Sequence, residues 1–243
     1  MTDTPTISKI VTHPGSAHKD EFLAICLAAH KTGCTNIERR VSTDEDLNDP
    51  TVMVIDQGKQ YNPALNNFDH HHDPSLQSSY PLLAKHLGVE EALKIFDKAY
   101  YRLDVDDRDG PVKAAARFGL NAAQYAALND PISDAMLSIF SGYTQVPAEF
   151  AAIMDHIGGN MIKRAQEYQP DYERLAKTVE IKNVGGIQYF VDTQDKSVAR
   201  EDFARENGVA IIVSPNGRDT GWKFKRMDDH PRVDFRNAKE LPD

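Results

Sequence analysis

Histidine and aspartate are concentrated in one internal stretch of the chain, Asn-Asn-Phe-Asp-His-His-His-Asp, at residues 66–73. A purification tag is a run of histidines at a chain end, so an internal run bracketed by Asp69 and Asp73 needs another explanation. From this stretch alone, a polar turn and a metal site both remain open. A metal site requires further ligands elsewhere in the sequence.

Three other segments carry side chains of the same two types, each at the end of a predicted strand or helix. Taken singly, each has an ordinary explanation as a helix cap, a turn or a solvated helix end. Their joint occurrence favours one shared site, because sites in open parallel sheets form at the carboxyl ends of the strands. The residues concerned are His13, His18, Asp20, Asp56, Asp104 and Asp107.

Imidazole and carboxylate ligands together suit divalent cations such as Mn²⁺, Fe²⁺, Co²⁺ and Zn²⁺. The chain has only two cysteines, Cys26 and Cys34, which argues against a structural zinc site with thiolate ligands. A two-metal site needs a bridging carboxylate, and Asp56, directly after a buried strand, suits that position. Such a pair of cations activates water and neutralises the charge that develops on a phosphate. The chemistry therefore expected is phosphate ester hydrolysis.

The elements that position these residues alternate between strand and helix in the first part of the chain. Short β-branched or apolar runs predict strands, and apolar residues at helical spacing predict helices. This alternation indicates an α/β domain with a parallel sheet. The predicted strands cover residues 7–12, 36–42 and 51–55, and the predicted helices cover residues 20–31, 79–87 and 90–103.

The second part of the chain changes from helical to mixed patterns. Residues 112–143 are Ala-rich and helical with interruptions at Gly119, Pro131 and Gly142, and a long helix follows at 147–177 with candidate breaks at Gly158-Gly159 and Pro170. Two hairpins are predicted, 178–182 with 187–192 and 209–213 with 221–226, separated by a helix at 198–206. The sequence thus predicts an N-terminal parallel-sheet domain with helices on both faces over residues 1–145. A smaller α+β domain follows over residues 146–243.

Composition limits the classes of partner and compartment. The net charge is −9, with 37 acidic and 28 basic residues, which argues against sequence-independent binding of long duplex DNA. No apolar run approaches the roughly 20 residues that span a bilayer, and the first residues lack the pattern of a secretory signal. We therefore expect a cytoplasmic protein that does not contact membranes.

The segment Asp69-His70-His71 matches the signature of the DHH phosphoesterase superfamily, and the chain resembles the MYG1 branch, which is associated with metal-dependent RNA exonuclease activity. Three segments carry the resemblance, and their order and spacing agree with the family's pattern. They are Thr12-His13-Pro14-Gly15 through His18-Lys19-Asp20-Glu21, Val54-Ile55-Asp56-Gln57-Gly58 with Phe68-Asp69-His70-His71, and Asp104-x-x-Asp107.

The resemblance implies two bound divalent cations, with Mn²⁺ preferred and Mg²⁺, Co²⁺ or Zn²⁺ as alternatives. It also implies that His71 faces the substrate and assists the leaving group, and that Asp69 orients an imidazole. His72 receives no role, and we expect its side chain to point away from the site. The implied metal ligands are His13, His18, Asp20, Asp56 as the bridge, His70, and Asp107 with Asp104 as its alternative.

The preferred function is phosphodiester hydrolysis, as a 3′→5′ exonuclease on short RNA or oligonucleotides held between the two domains. Four basic residues of the second domain, Arg218, Lys223, Lys225 and Arg226, are candidates for binding a substrate phosphate. An exposed strand face with alternating charge explains them equally well. A small-molecule phosphoesterase for pyrophosphate or a dinucleotide, and a non-catalytic metal- or nucleotide-binding module, remain alternatives. The sequence also leaves homo-oligomerisation open.

Overall fold

The computed structural model of the protein describes residues 6–96, 100–218 and 220–236. They fall into two compact units, of which the first ends at Ala165 and the second begins at Gln166. This division lies inside a long helix, after the domain boundary expected at residue 145. The early turns of that helix explain the position, because Ala151, Met154 and Ile162 are packed in the core of the first unit. Among the described helices, none is both long and apolar enough to cross a membrane.

The first unit contains a five-stranded sheet whose strands lie in the order β2-β1-β3-β5-β4. All neighbouring pairs are parallel except β4 with β5, which is antiparallel. The α/β class with a largely parallel sheet is therefore as expected. The strands are β1 (Lys9–Thr12), β2 (Ile37–Arg39), β3 (Val52–Ile55), β4 (Tyr61–Asn62) and β5 (Asn67–Phe68).

Both faces of this sheet are covered, and β3 shows how. Its four residues are all buried, as its continuous apolar run predicts. Val52 and Val54 pack with Leu47 of the short helix α2 (Asp44–Asn48) on one face. Met53 and Ile55 belong to the main core on the other face. The main core includes helices α1 (Lys19–Thr32) and α3 (Ser79–His86).

The remaining helices of the first unit are separated near the predicted interruptions Gly119 and Pro131, and one predicted helix end is wrong. The predicted helix 90–103 is described as helix over Glu90–Phe96 and from Tyr100 onwards, and residues 97–99 lie outside the described residues. The part that begins at Tyr100 runs to Asp109, so the acidic run lies on a helix and does not follow one. The helices are α4 (Glu90–Phe96), α5 (Tyr100–Asp109), α6 (Pro111–Arg117), α7 (Ala122–Ala126) and α8 (Pro131–Ser141).

The long helix α9 (Ala148–Thr178) continues through both candidate breaks, Gly158-Gly159 and Pro170. The glycines serve close packing instead. A Cβ atom on Gly158 would lie 2.0 Å from the carbonyl oxygen of Cys26 in α1. Only glycine permits this approach between the two helices, so the break expected there is wrong.

The second unit has a four-stranded sheet in the order β6-β7-β8-β9. Its two predicted hairpins, β6 with β7 and β8 with β9, are present and antiparallel, while β7 and β8 are parallel. The predicted bounds are wrong in two places. Residues 178–181 are not strand, and the strand predicted over residues 209–213 lies over residues 211–215, where Pro215 pairs with Trp222. Asp219, in the turn between Pro215 and Trp222, lies outside the described residues. The elements are β6 (Lys182–Val184), β7 (Ile187–Val191), α10 (Arg200–Glu206), β8 (Ile211–Pro215) and β9 (Trp222–Arg226).

Candidate metal centre

Three parallel strands of the first unit end side by side. Thr12 of β1 pairs with Ile55 of β3, and Ile55 pairs in turn with Phe68 of β5. The next residue of each segment therefore emerges at the same carboxyl edge of the sheet, where sites form in open parallel sheets. These residues are His13, Asp56 and Asp69.

Asp56 lies at the centre of this edge. Its φ of 59° is left-handed, a conformation that non-glycine residues adopt infrequently. Its side chain is buried, Oδ1 accepts a hydrogen bond of 2.8 Å from the Ser79 hydroxyl, and Oδ2 has no hydrogen bond. The Nε2 atom of His13 lies 3.5 Å from Oδ2, and that of His70 lies 3.5 Å from Oδ1. Each oxygen of Asp56 thus faces a different imidazole, as a bridging carboxylate requires.

Asp107 reaches the same edge from α5. Its Oδ2 lies 2.8 Å from Nε2 of His70, and its Oδ1 lies 3.4 Å from Nδ1 of His18. Oδ2 of Asp107 and Nε2 of His70 are close, yet neither makes a hydrogen bond of acceptable geometry. These two atoms therefore lie close together without a hydrogen bond between them, which is the arrangement expected of two ligands of the same ion.

Asp20, in the first turn of α1, completes the cluster. It is 2 % exposed, and neither of its carboxylate oxygens has a hydrogen-bond partner. A buried carboxylate without a partner is costly, and a bound cation would remove that cost. Burial, followed by the neighbouring charges of Asp56 and Asp107, raises the pKa of Asp20 well above its usual range.

The donor atoms form three overlapping groups, within each of which all ligand atoms lie within 4.8 Å of one another. Asp56 belongs to every group, which agrees with a shared position between two ions. These groups and the unpartnered buried atoms fit divalent cations bound through nitrogen and oxygen. The groups are Asp56 with Asp69, His70 and His71; His13 with His18 and Asp56; and His18 with Asp20, Asp56 and Asp107.

The carboxylates of the cluster stabilise the protonated, positively charged forms of His13 and His70. The carboxylates of Asp56 and Glu21 raise the pKa of His13 to about 11. Burial alone would lower the pKa of His70, but Asp107 and Asp56 outweigh burial and raise it to about 10. Burial by itself would raise the pKa of Asp56, yet contacts with His13, His70 and Ser79 hold it well below its usual range. Protonated imidazoles therefore supply the positive charge that metal ions would otherwise supply.

Glu21 is a site residue that the sequence reasoning missed. It is fully buried, and its Oε2 lies 2.8 Å from Nε2 of His13. Its Oε1 accepts a hydrogen bond of 2.9 Å from Thr12 and one of 3.4 Å from the buried guanidinium of Arg39. The position of Glu21 beside Asp20 was visible in the sequence, but nothing there indicated that a buried arginine would meet it. Ser79, the partner of Asp56, was missed for the same reason.

The carboxylate of Asp69 lies against the imidazole of His71. One oxygen of Asp69 lies 2.6 Å from Nδ1 of His71 and accepts the His71 backbone N–H at 3.1 Å, while the other accepts the N–H of Lys59 at 2.6 Å. The His71 side chain is 53 % exposed. With Nδ1 directed at Asp69, the Nε2 atom is left for solvent or substrate.

The other residues of the histidine run lie outside the cluster. His72 is exposed and belongs to none of the donor groups. Asp73 accepts hydrogen bonds from the backbone and the hydroxyl of Ser75 at 2.8 Å and 2.6 Å, so it forms a turn. The three adjacent imidazoles therefore occupy three different environments.

Asp104 has a different position from Asp107. It is buried, its Oδ1 accepts the backbone N–H of Ser78 at 2.7 Å, and Arg108 binds both of its oxygens. Ser78 directly precedes α3, so Asp104 ties α5 to the start of that helix. Asp104 belongs to none of the donor groups.

The four basic candidates of the second unit lie on β9 and in the turn before it. Lys225 is paired with Glu201, and Arg226 is paired with Asp229 and donates to the carbonyl oxygen of Val233 at 2.9 Å. Arg218 and Lys223 are exposed. On the same strand, Trp222 is 52 % exposed and Phe224 is 40 % exposed.

A cleft of about 490 Å³ adjoins the cluster in the first unit. His18, Asp20 and Asp107 belong both to the cleft wall and to the donor groups. The cleft therefore offers room for a substrate in direct contact with the candidate ligands. Its remaining polar lining consists of Lys19, Asp106, Asn129 and Asp134.

Comparison with known proteins agrees with this site. A model of an uncharacterised protein family, UPF0160, with the model name MYG1_exonuc, matches residues 9–81. The matched segment runs from β1 into α3 and holds every candidate ligand except those on α5. The model's name suggests an exonuclease-type hydrolase. No curated protein matches the chain. Over residues 9–81, the chain is thus similar to the MYG1 family, whose model matches that segment.

Proposed function

We propose that the chain is a divalent-metal-dependent phosphohydrolase that cleaves phosphodiester bonds, acting as a 3′→5′ exonuclease on short RNA or oligonucleotides. The observation that carries the proposal is the position of Asp56, which belongs to all three donor groups and directs its two oxygens at different imidazoles. The name of the matching family model supports the exonuclease assignment.

Two divalent cations, with Mn²⁺ preferred over Mg²⁺, Co²⁺ or Zn²⁺, are the proposed cofactors. When bound, they supply Lewis acidity that activates water and neutralises charge on the phosphate. Asp56 would be shared between them, and the carbonyl oxygen of Pro14, 2.9 Å from Nδ1 of His13, would hold that ring in position. The proposed ligands are His13, His18, Asp20, Asp56, His70 and Asp107.

His71 is the proposed general acid. The carboxylate of Asp69, 2.6 Å from Nδ1, fixes the ring and leaves Nε2 directed away from Asp69, where a leaving oxygen can approach it. The 53 % exposure of the side chain supports contact with a substrate. His70, one position earlier, is buried and turned towards Asp56 and Asp107, which supports the separation of binding from proton transfer.

The second unit is proposed to hold the substrate strand. The exposed cations Arg218 and Lys223 would bind phosphates, and Trp222 and Phe224 would stack on unpaired bases. This combination is typical of proteins that bind single-stranded nucleic acids. Lys225 is less available for this role, because Glu201 already neutralises it.

A small-molecule phosphoesterase is the second candidate, and one observation favours it. The cleft of about 490 Å³ is in the usual range for a small ligand. The net charge of −9 is also less adverse to a small anion than to a long strand. A pyrophosphate or dinucleotide substrate would use the same ligands. The proposed compartment is the cytoplasm, which the buried free thiols of Cys26 and Cys34 support.

The test is a panel of substrates, comprising short RNA, short DNA, a dinucleotide and pyrophosphate, each assayed with Mn²⁺, Mg²⁺, Co²⁺ and Zn²⁺. The Asp56→Asn variant should keep the circular dichroism spectrum of the parent and lose nearly all hydrolysis. Asp44→Asn, a change of the same type at an exposed position of α2, is the matched control. Metal binding without hydrolysis of any substrate would establish the non-catalytic module instead, and an active, folded Asp56→Asn variant would remove Asp56 from the mechanism.

A further inference from the structure

The cleft beside the candidate metal centre has a charge that restricts what can enter it. We propose that it accepts the uncharged terminal nucleoside of the substrate, so that the enzyme requires a chain end with a free hydroxyl and discriminates against a terminal phosphate. This inference rests on the proposed function and adds the form of the substrate end to it.

The location of the cleft ties it to the reacting phosphate. His18, Asp20 and Asp107 form one wall of the cleft and are also candidate metal ligands. Asp20 is 2 % exposed with both carboxylate oxygens unpartnered, so this wall is prepared for a cation. A phosphate held at that cation would place its own nucleoside in the cleft.

Away from that wall, the polar lining is net negative. Asp106 and Asp134 contribute two carboxylates, against one ammonium group on Lys19. The Nζ atom of Lys19 already donates to Oδ1 of Asn129 at 3.0 Å and lies 3.9 Å from Asp134. Arg102 offsets part of the Asp106 charge but does not line the cleft. A second phosphate in this part of the cleft would meet two carboxylates and only one ammonium group, which Asn129 and Asp134 already contact.

The rest of the lining suits a neutral group that carries hydroxyls. Leu103, Pro111 and Leu137 provide apolar surface on which a sugar or base can pack. Carboxylates accept hydrogen bonds, and hydroxyl groups of a ribose can donate them. A terminal nucleoside satisfies both parts of the lining, whereas a strand that continues through the cleft would bring further phosphates into it.

The test compares two ribo-oligonucleotides of the same sequence, one ending in a 3′-hydroxyl and one in a 3′-phosphate, with Mn²⁺ present. We expect kcat/KM to favour the hydroxyl end by at least about tenfold, which corresponds to about 1.4 kcal/mol. Asp106→Asn and Asp134→Asn should each lower this ratio, because each removes a repelling charge. Glu149→Gln removes the same charge from an exposed position of α9 that does not line the cleft, and it should leave the ratio unchanged.

Equal rates for the two ends, or a ratio that neither cleft variant changes, would overturn the inference while leaving hydrolysis itself intact. A preference for the phosphate end that Lys19→Gln abolishes would identify the cleft as a phosphate site and also overturn it. If the discrimination appears at the 5′ end in a second pair of oligonucleotides, the inference stands and the proposed direction of attack is reversed.

Hydrolysis of neither oligonucleotide would reject the proposed function. The inference is then decided by binding alone, from dissociation constants of the same two oligonucleotides measured by fluorescence anisotropy with Mn²⁺. Tighter binding of the hydroxyl end supports it, and equal binding overturns it.

Discussion

The Nε2 atom of His70 lies 2.8 Å from the Oδ2 atom of Asp107. His70 follows a strand of the sheet and Asp107 lies on α5, so this contact joins two elements that are distant in sequence. Asp104, one turn earlier on the same helix, is instead bound to Ser78 and Arg108. The two aspartates therefore have separable tasks, one in the site and one in the fold.

The first prediction separates those tasks. Asp107→Asn should lower the metal content of the purified protein and leave its stability nearly unchanged, because the carboxylate serves the site. Asp104→Asn should keep the metal and lower the free energy of unfolding by roughly 1–3 kcal/mol, since it weakens charged hydrogen bonds of a buried group. Elemental analysis and urea denaturation measure the two effects. Metal loss from Asp104→Asn alone would assign the ligand to Asp104.

The second prediction concerns the three adjacent histidines. His70→Gln should lose both metal and activity, because His70 is buried against Asp56 and Asp107. His71→Gln should retain metal and slow hydrolysis by about 10²–10⁴-fold, the usual contribution of one general acid. His72→Gln should retain both, since His72 is exposed and outside the donor groups.

Elemental analysis and a turnover assay on the three glutamine variants test this order, and His72→Gln is the matched control. Equal loss of metal from His70→Gln and His71→Gln would refute the separation of ligand and acid. An empty site in His72→Gln would mean that the motif is displaced by one residue.

The third prediction is that metal binding releases protons. The pKa values of His13 and His70 in the metal-free protein are raised to about 11 and about 10, so both rings are protonated at neutral pH. A metal ligand must be neutral, so filling the site should release at least these two protons. Raised pKa values mean that protons compete most strongly at low pH, and affinity should therefore rise as pH increases towards 10.

Titration calorimetry in two buffers with different ionisation enthalpies counts the protons released. With two protons released, the apparent binding constant should rise about 100-fold per pH unit between pH 6 and pH 9. A binding constant that does not change over this interval would show that metal binding releases no protons from these imidazoles.

The fourth prediction concerns β9 and the turn before it. Arg218→Ala and Lys223→Ala should raise KM for an oligonucleotide at unchanged metal content, as expected when ground-state binding is lost. Lys225→Ala should have a smaller effect, because Glu201 already pairs with that residue. Steady-state kinetics at two salt concentrations measure the change. Unchanged kinetics in Arg218→Ala and Lys223→Ala would identify the strand as an ordinary solvated face.

The sequence alone determined the elements and the types of side chain at their ends. The run Val52–Ile55 predicts a buried parallel strand, and the structure has it at the centre of the sheet. Because parallel strands end at one edge, the sequence also predicted that His13 and Asp56, which follow two predicted strands, could meet. The strand β5, which brings Asp69 to the same edge, was not predicted.

Other features depend on contacts between distant segments, which no local pattern reports. The choice between Asp107 and Asp104 is one of these features. The two residues lie one turn apart on the same helix, and they differ only in the residues that contact them. The continuity of α9 through Gly158 is another such feature. A glycine pair in the sequence predicts a helix break, and only the contact with Cys26 in the folded chain shows that Gly158 is needed for close packing. The sequence thus determined which types of side chain the chain offers as ligands. Tertiary packing decided which carboxylates and imidazoles come together, because a ligand set is defined by distances that only the folded chain has.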